Sequence, residues 1–257
     1  MKVVVKVGTS TLAHQGGLLN IRRVELLCKV LSDLKNAGHD VILVTSGAIG
    51  MGVGKLKLNG KPKTIAGKQA AAAVGQCELM YVYDKLFSEY NHTVAQLLLT
   101  GDDFEHKDRY TNFINTIDQL LEYKALPVIN ENDTVATDEI KVGDNDTLSA
   151  MVAVSIKADL LILLSDIDGL FTADPHKDPN AKLISVVPEV NDEIRALAGG
   201  EGSSLGTGGM RTKIRAAEIT TSKGCDMVIA NGVDPVVLYD IVEGKKVGTK
   251  FLKKAGI

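Results

Sequence analysis

The sequence predicts an α/β fold, a mostly parallel sheet with helices over both faces, on three observations. Residues 2–7 hold four valines in six positions before Gly8, the near-continuous apolar run of a strand buried on both sides. Such runs alternate with stretches of helical periodicity, the rhythm of right-handed βαβ units. Polar clusters follow the runs repeatedly, at Gly8-Thr9-Ser10, Ser46-Gly47, Asn130 to Asp133 and Ser165-Asp166. Parallel strands would gather all four at one sheet edge, where ligands bind in open α/β folds; routine turn chemistry would scatter them.

The first strand carries an anomaly. Lys6 interrupts the valines, and burying an ammonium is costly unless an anion meets it. Lys6 is therefore expected to leave the strand at its C-terminal end. The competing reading is an edge-strand lysine that discourages aggregation. Residues 19–37 place Ile21, Val24, Leu27, Leu31 and Leu34 at helical spacing, with Gly38 as a C-cap. Residues 40–45 read as a second buried strand running into Ser46-Gly47-Ala48-Ile49-Gly50, a glycine-rich turn that opens a helix.

Residues 56–63, polar with Gly60 and Pro62, read as a surface loop. Residues 65–89 read as a long alanine-rich helix, whose Ala70 to Ala73 and Gly75 suit close packing or a subunit interface. A third strand is expected over 92–100, a helix ending at 118–123 and a fourth strand over 126–130. Residues 135–142 predict a short excursion off the sheet. Residues 143–147 then cap a helix reaching Lys157, and 159–164 form an apolar strand ending at Ser165-Asp166, with Asp168-Gly169 as a turn. Residues 174–179 read as irregular, 189–198 as helix and 199–209 as a glycine-rich loop. A helix over 210–223 capped by Gly224 and a last core strand over 227–230 complete the pattern.

Composition narrows the function classes. A chain of 257 residues, 45% of them hydrophobic, buries about three quarters of its unfolded surface and needs no covalent staples. Its net charge of -3 supplies no general attraction to nucleic acid or to an anionic membrane. No uncharged run approaches the length of a membrane span, and the first apolar run stops at Lys6, too soon for a signal peptide. Cys28, Cys77 and Cys225 are odd in number, far apart and without C-x-x-C spacing. That argues against a disulfide framework or a structural zinc site and fits a reducing cytoplasm. Each reads as a small buried residue.

Three groups could carry chemistry. Gly47-Ala48-Ile49-Gly50-Met51-Gly52 lacks the dinucleotide spacing, yet its glycines would let a phosphate approach the backbone at a helix start, or serve tight packing. Gly206 to Lys213 is not a Walker A loop, because Lys213 stands between Thr212 and Ile214. Lys213 would sit about one turn into its helix, where a cation is unfavourable without an anion such as phosphate. Asp144, Asn145 and Asp146 exceed what capping one helix needs. An aspartate between two lysines could hold both and offset their repulsion.

Taken in order, Lys6 to Ser10, Thr45 to Ile49, Asn130 to Asp133, Val142 to Asp146, Gly169 to Pro175 and Gly206 to Lys213 resemble the amino acid kinase family. Within it they look most like the members that act on free glutamate. The resemblance runs from Lys2 to about Gly248. It implies a three-layer αβα sandwich and transfer of the ATP γ-phosphoryl to the side-chain carboxylate of L-glutamate, the first step toward proline. It implies a single kinase domain over 1–257, with a glutamate lobe at about 1–155, a nucleotide lobe at about 156–257 and no further C-terminal domain.

By the same resemblance, Lys6 and Lys213 act on the transferring phosphoryl group with Asp146 between them as organiser. Ser46, Asp133 and Asn145 hold glutamate. Lys6, Gly8, Ser165, Asp166, Thr207, Gly208, Gly209, Met210, Arg211, Thr212 and Lys213 line the nucleotide site. Magnesium arrives with ATP, and no metal site of the protein's own is implied. Proline is implied as a feedback inhibitor, and a homodimer or homotetramer as the assembly. Ser165 stands where relatives often carry threonine, which keeps the hydroxyl.

Rival readings are another kinase of this fold, acting on acetylglutamate, aspartate, carbamate or uridine monophosphate, and a non-catalytic nucleotide or amino-acid sensor. Retention of both lysines and Asp146 weighs against a sensor. A dinucleotide oxidoreductase lacks its glycine fingerprint here.

Overall fold

The computed structural model describes residues 1–14, 18–136, 144–175, 177–199 and 209–254. In chain order its elements begin with β1 (Lys2–Val7), α1 (Thr9–Leu12), α2 (Ile21–Asn36), β2 (Asp40–Val44), α3 (Ala48–Lys55) and α4 (Ile65–Ser88). They continue with β3 (Val94–Leu99), α5 (Asp102–Glu105), α6 (Lys107–Glu122), β4 (Leu126–Glu131), α7 (Asn145–Ser155) and β5 (Leu160–Ser165). The rest are β6 (Val186–Val187), α8 (Asp192–Leu197), α9 (Gly209–Thr221), β7 (Asp226–Asn231), α10 (Val237–Val242) and β8 (Thr249–Phe251).

Among the described residues one eight-stranded sheet runs in the order β3-β4-β2-β1-β5-β7-β8-β6. Strands β3, β4, β2, β1, β5 and β7 pair in parallel, and β8 joins β7 antiparallel. β1 lies in the middle, between β2 and β5, so Lys6 is no edge-strand lysine: it faces Val44 on one side and Leu163 on the other. The aggregation-guard reading of Lys6 is thereby overturned.

Side chains alternate across a strand, and β1 divides its valines accordingly. Val3, Val5 and Val7 pack with Val24, Leu27 and Leu31 of α2, Leu79, Tyr83 and Phe87 of α4, and Leu238 of α10. Val4 packs on the other face with Phe113 and Ile117 of α6, Leu148 and Val152 of α7, and Ile214 and Ala217 of α9. This is the three-layer αβα sandwich. The same alternation puts Lys6 on the face of Val4, toward α7 and α9.

The helix starts follow local chemistry. Asn20 accepts the Arg23 N–H at 3.3 Å and Thr64 accepts the Gly67 N–H at 3.1 Å, each satisfying a donor left open in a first turn. Of the small residues of α4, Ala71, Ala72 and Gly75 are buried inside the chain, while Ala70 and Ala73 are exposed. A Cβ on Gly75 would lie 1.8 Å from the Ala48 carbonyl oxygen, and one on Gly52 would lie 1.8 Å from that of Ala71. α3 and α4 therefore touch backbone to backbone.

Several expectations need correction. The chain does not end its sheet at residues 227–230: β8 follows, with Phe251 fully buried. Thr249 ties it in, donating to the Ile184 carbonyl at 2.6 Å and accepting the Leu170 N–H at 2.7 Å. Three residues are too short for periodicity to show. Gly209 opens α9 instead of ending a loop. Cys28 and Cys225 are buried, which pushes the Cys225 thiol up to about 12, but Cys77 is exposed on α4. The excursion expected over 135–142 and the glycine-rich loop expected over 199–209 fall largely outside the described residues.

Candidate active site

The C-terminal ends of β1, β2, β4 and β5 meet at one sheet edge, as the recurring polar clusters require. From β1 comes Lys6, 8% exposed. Facing it is the first turn of α7, where Asp144 is the cap: its carboxylate accepts the Thr147 N–H at 2.9 Å and the Thr147 hydroxyl at 3.1 Å. That leaves Asp146, 4% exposed, to look across at the strand. Its position in a first turn suits a negative charge.

Lys6 Nζ lies 2.6 Å from Asp146 Oδ1, and Lys213 Nζ lies 3.0 Å from Oδ2. Lys213 reaches it because α9 packs alongside α7. The Thr212 hydroxyl donates to the same Oδ2 at 2.8 Å, and Lys213 Nζ also approaches the Gly209 carbonyl at 3.4 Å. Burial pushes the Asp146 carboxyl up, but the ammonium groups of Lys6 and Lys213 outweigh it and hold the group below the usual carboxylate range. Two cations share one anion in a nearly dry setting, so the cluster carries a net positive charge at the sheet edge. A phosphoryl group is the complement of that charge.

Beside the cluster Asn145 Nδ2 reaches the Thr45 carbonyl at 2.6 Å, Ser46 Oγ at 2.8 Å and Asn130 Oδ1 at 2.8 Å. Ser46 leads into Gly47, whose φ of +97° turns the chain into α3, a backbone conformation open to glycine with little strain. Next to it opens a cavity of about 490 Å³, lined among others by Thr9, Gly47, Ala48, Gly50, Lys61 and Asp133. An anionic end of a small molecule could meet Lys61 and the α3 amide groups there, and a cationic end Asp133.

The fold thus brings together Lys6, Asp146, Lys213 and Thr212, and separately Ser46 and Asn145, with Asp133 on the neighbouring cavity. Gly8 stands two residues after Lys6, and a Cβ there would stand 3.7 Å from Lys6 Nζ. Ser165 ends β5 on the same edge and donates to Asp166 Oδ1 at 3.1 Å. Gly209, Met210 and Arg211 form the first turn of α9; Met210 leans against the apolar layer and Arg211 is exposed. Thr207 and Gly208 lie outside the described residues.

Sequence reasoning misses Thr9, Lys61 and Asn130 as individual contributors, although Thr9 and Asn130 stand in the polar clusters that follow β1 and β4. Thr9 lies against Gly47, whose Cβ would meet its methyl at 3.4 Å. It also misses the tie from α4: Tyr83 OH and Thr45 Oγ1 lie 2.8 Å apart, fully buried. No local signal marks a tyrosine in an apolar helix face as such a partner.

Residues 1–231 match the model of the amino acid kinase family. The chain is 52% identical over 259 residues to a glutamate 5-kinase of Clostridium perfringens, covering 99% of this chain and 96% of the relative. It is 56% identical over 249 residues to a glutamate 5-kinase of Clostridium tetani, covering 97% and 93%. Among solved structures it is similar to a carbamate kinase from Giardia lamblia bound to AMP-PNP, with a TM-score of 0.69, 19% identity and 98% of each chain covered, a likeness of fold. The chain belongs to the amino acid kinase family.

Proposed function

We propose that this protein phosphorylates the side-chain carboxylate of L-glutamate with ATP, giving L-glutamyl 5-phosphate and ADP, the entry step of proline biosynthesis. The single observation that carries it is the pair of buried lysines on either oxygen of Asp146, beside a cavity with charges suited to an amino acid. The glutamate 5-kinases at 52% and 56% identity supply the substrate's identity.

The chemistry needs little beyond placement. An oxygen of the ionised glutamate side chain attacks the γ-phosphorus; the new O–P bond forms as the bond to the β,γ-bridging oxygen breaks, and that oxygen leaves on ADP with the electron pair. The nucleophile is already deprotonated at neutral pH, so no general base is required. Catalysis is in-line positioning and cationic stabilisation of the spreading phosphoryl charge. In this reading Lys6 and Lys213 contact the transferring group, and Asp146 keeps the two ammoniums apart and aimed. Magnesium would arrive with the nucleotide and supply further positive charge at its phosphates.

Ser46, Asp133 and Asn145 hold glutamate, with Asp133 meeting its ammonium. Gly8, Ser165, Asp166 and residues 207–213 receive the nucleotide. The amino-acid lobe lies at about 1–155 and the nucleotide lobe at about 156–257, within one kinase domain. Feedback by proline, a homo-oligomeric assembly and a cytoplasmic location belong to the same proposal and rest on the family resemblance. ADP release across a panel of glutamate, N-acetylglutamate, aspartate, carbamate and uridine monophosphate tests the reading. Turnover with glutamate is expected; turnover with uridine monophosphate and none with glutamate overturns it.

A further inference from the structure

Three side-chain amides stand in series under the candidate active site. Asn145 Nδ2 donates to Asn130 Oδ1, and Asn130 Nδ2 donates to Gln76 Oε1, each at 2.8 Å. The oxygen and nitrogen ends of an amide have nearly the same shape, so the polarity of fixed neighbours decides which end points where. Two neighbours here are backbone and cannot change role. The Glu131 N–H donates to Asn130 Oδ1 at 2.9 Å, and the Thr45 carbonyl accepts from Asn145 Nδ2 at 2.6 Å.

Gln76 closes the series from the far end. It lies in α4, 7% exposed, behind an Asn130 that is 2% exposed. Its height is set by its neighbour Gly75, which packs on the Ala48 carbonyl at the start of α3. Without an acceptor at position 76, Asn130 Nδ2 is a buried donor with no partner, which is costly. Turning the Asn130 amide over would set donor against donor at both Glu131 and Asn145. Swinging it away would free Asn145 from Asn130. Asn145 Nδ2 has two hydrogens for three acceptors, the Thr45 carbonyl, Ser46 Oγ and Asn130 Oδ1, so either response redistributes its bonds and shifts Asn145 and Ser46 together.

We infer that Gln76 is a positioning residue for the amino-acid substrate, acting through Asn130 on Asn145 and Ser46. This inference rests on the proposed reading that those two residues hold glutamate. Gln76 touches no reacting atom, so its effect falls on glutamate binding and spares the nucleotide.

The test compares three variants by steady-state kinetics. Gln76→Met keeps length without an acceptor, Gln76→Asn keeps an amide that is too short, and Gln76→Glu keeps both length and acceptor. The Met and Asn variants should each raise the KM for glutamate about 10-fold and leave that for ATP within about twofold. Gln76→Glu should remain closer to wild type than either. In an Asn130→Ala background, Gln76→Met should raise the glutamate KM no further, because the path is already cut. Wild-type glutamate KM in both the Met and Asn variants overturns the inference. So does a fully multiplicative effect in the double variant. A wild-type enzyme that turns over no glutamate rejects the functional reading itself, a distinct result.

Discussion

Lys6 and Lys213, from opposite ends of the chain, set their ammonium nitrogens 2.6 Å and 3.0 Å from the two oxygens of one carboxylate, that of Asp146. The arrangement is a poor device for stability alone. Desolvating three charges is expensive, and an apolar replacement of a buried ion group is often as stable. Two ammonium groups on one carboxylate leave the cluster with a net positive charge at the sheet edge.

Removing one lysine should cost catalysis more than folding. Lys6→Ala or Lys213→Ala is expected to lower kcat by about 10²–10³-fold, by analogy with loss of one transition-state donor. ADP release at saturating glutamate and ATP measures it, and wild-type kcat in either variant removes that lysine from the mechanism.

Asp146→Asn should destabilise the protein by about 3 kcal/mol, because two buried ammonium groups lose their counter-ion. The sign of its pH dependence follows from the depressed folded pKa, where the pull of Lys6 and Lys213 outweighs burial. Between that value and the unfolded value of about 3.9 the unfolded chain binds the extra proton, so stability rises with pH. The contribution is complete above the unfolded pKa and is lost as pH falls through the folded one. Thermal unfolding against pH should show a flatter acid limb in Asp146→Asn than in wild type; identical slopes below about pH 4 would show that Asp146 adds nothing there.

Asp133→Ala should raise the KM for glutamate by about 10–100-fold, the range of a charge-assisted hydrogen bond, with a smaller change in kcat. A substrate analogue lacking the α-ammonium should lose this difference. Equal losses for glutamate and for the analogue would place Asp133 elsewhere in the scheme.

Gly75→Ala should act on both stability and binding. Its methyl would meet the Ala48 carbonyl oxygen at 1.8 Å, so α3 and α4 must part. Overpacking of this kind costs about 1–3 kcal/mol, and Ala48 lines the cavity, so the glutamate KM should rise as well. Gly244→Ala is the control for strain without contact: its φ is +78° and nothing stands near a Cβ there. It should lower stability and leave the KM alone.

Much of this molecule could be read before it was folded. The valines of β1, the periodicity of α2 and a helix cap among Asp144, Asn145 and Asp146 are decided by neighbours a few residues away, and the pattern displays them. Lys6 announced itself because a charge inside a buried strand must find an anion. The ordered set of motifs named the family. The recurring polar clusters pointed to one sheet edge, and the parallel pairing of β1, β2, β4 and β5 puts them there.

Other features exist only in three dimensions. Which carboxylate answers Lys6 depends on α7 lying over the β1 face that Val4 and Lys6 share, and Lys213 arrives only because α9 packs against α7. β8 is three residues long, and its place follows from Phe251 filling the layer between sheet and helices. Gln76 carries no mark in an alanine-rich helix, yet it ends a line of amides drawn from α4, β4 and α7. Local chemistry writes the elements into the chain; the contacts among distant ones come from burying their apolar faces together, and the candidate active site is made of those contacts.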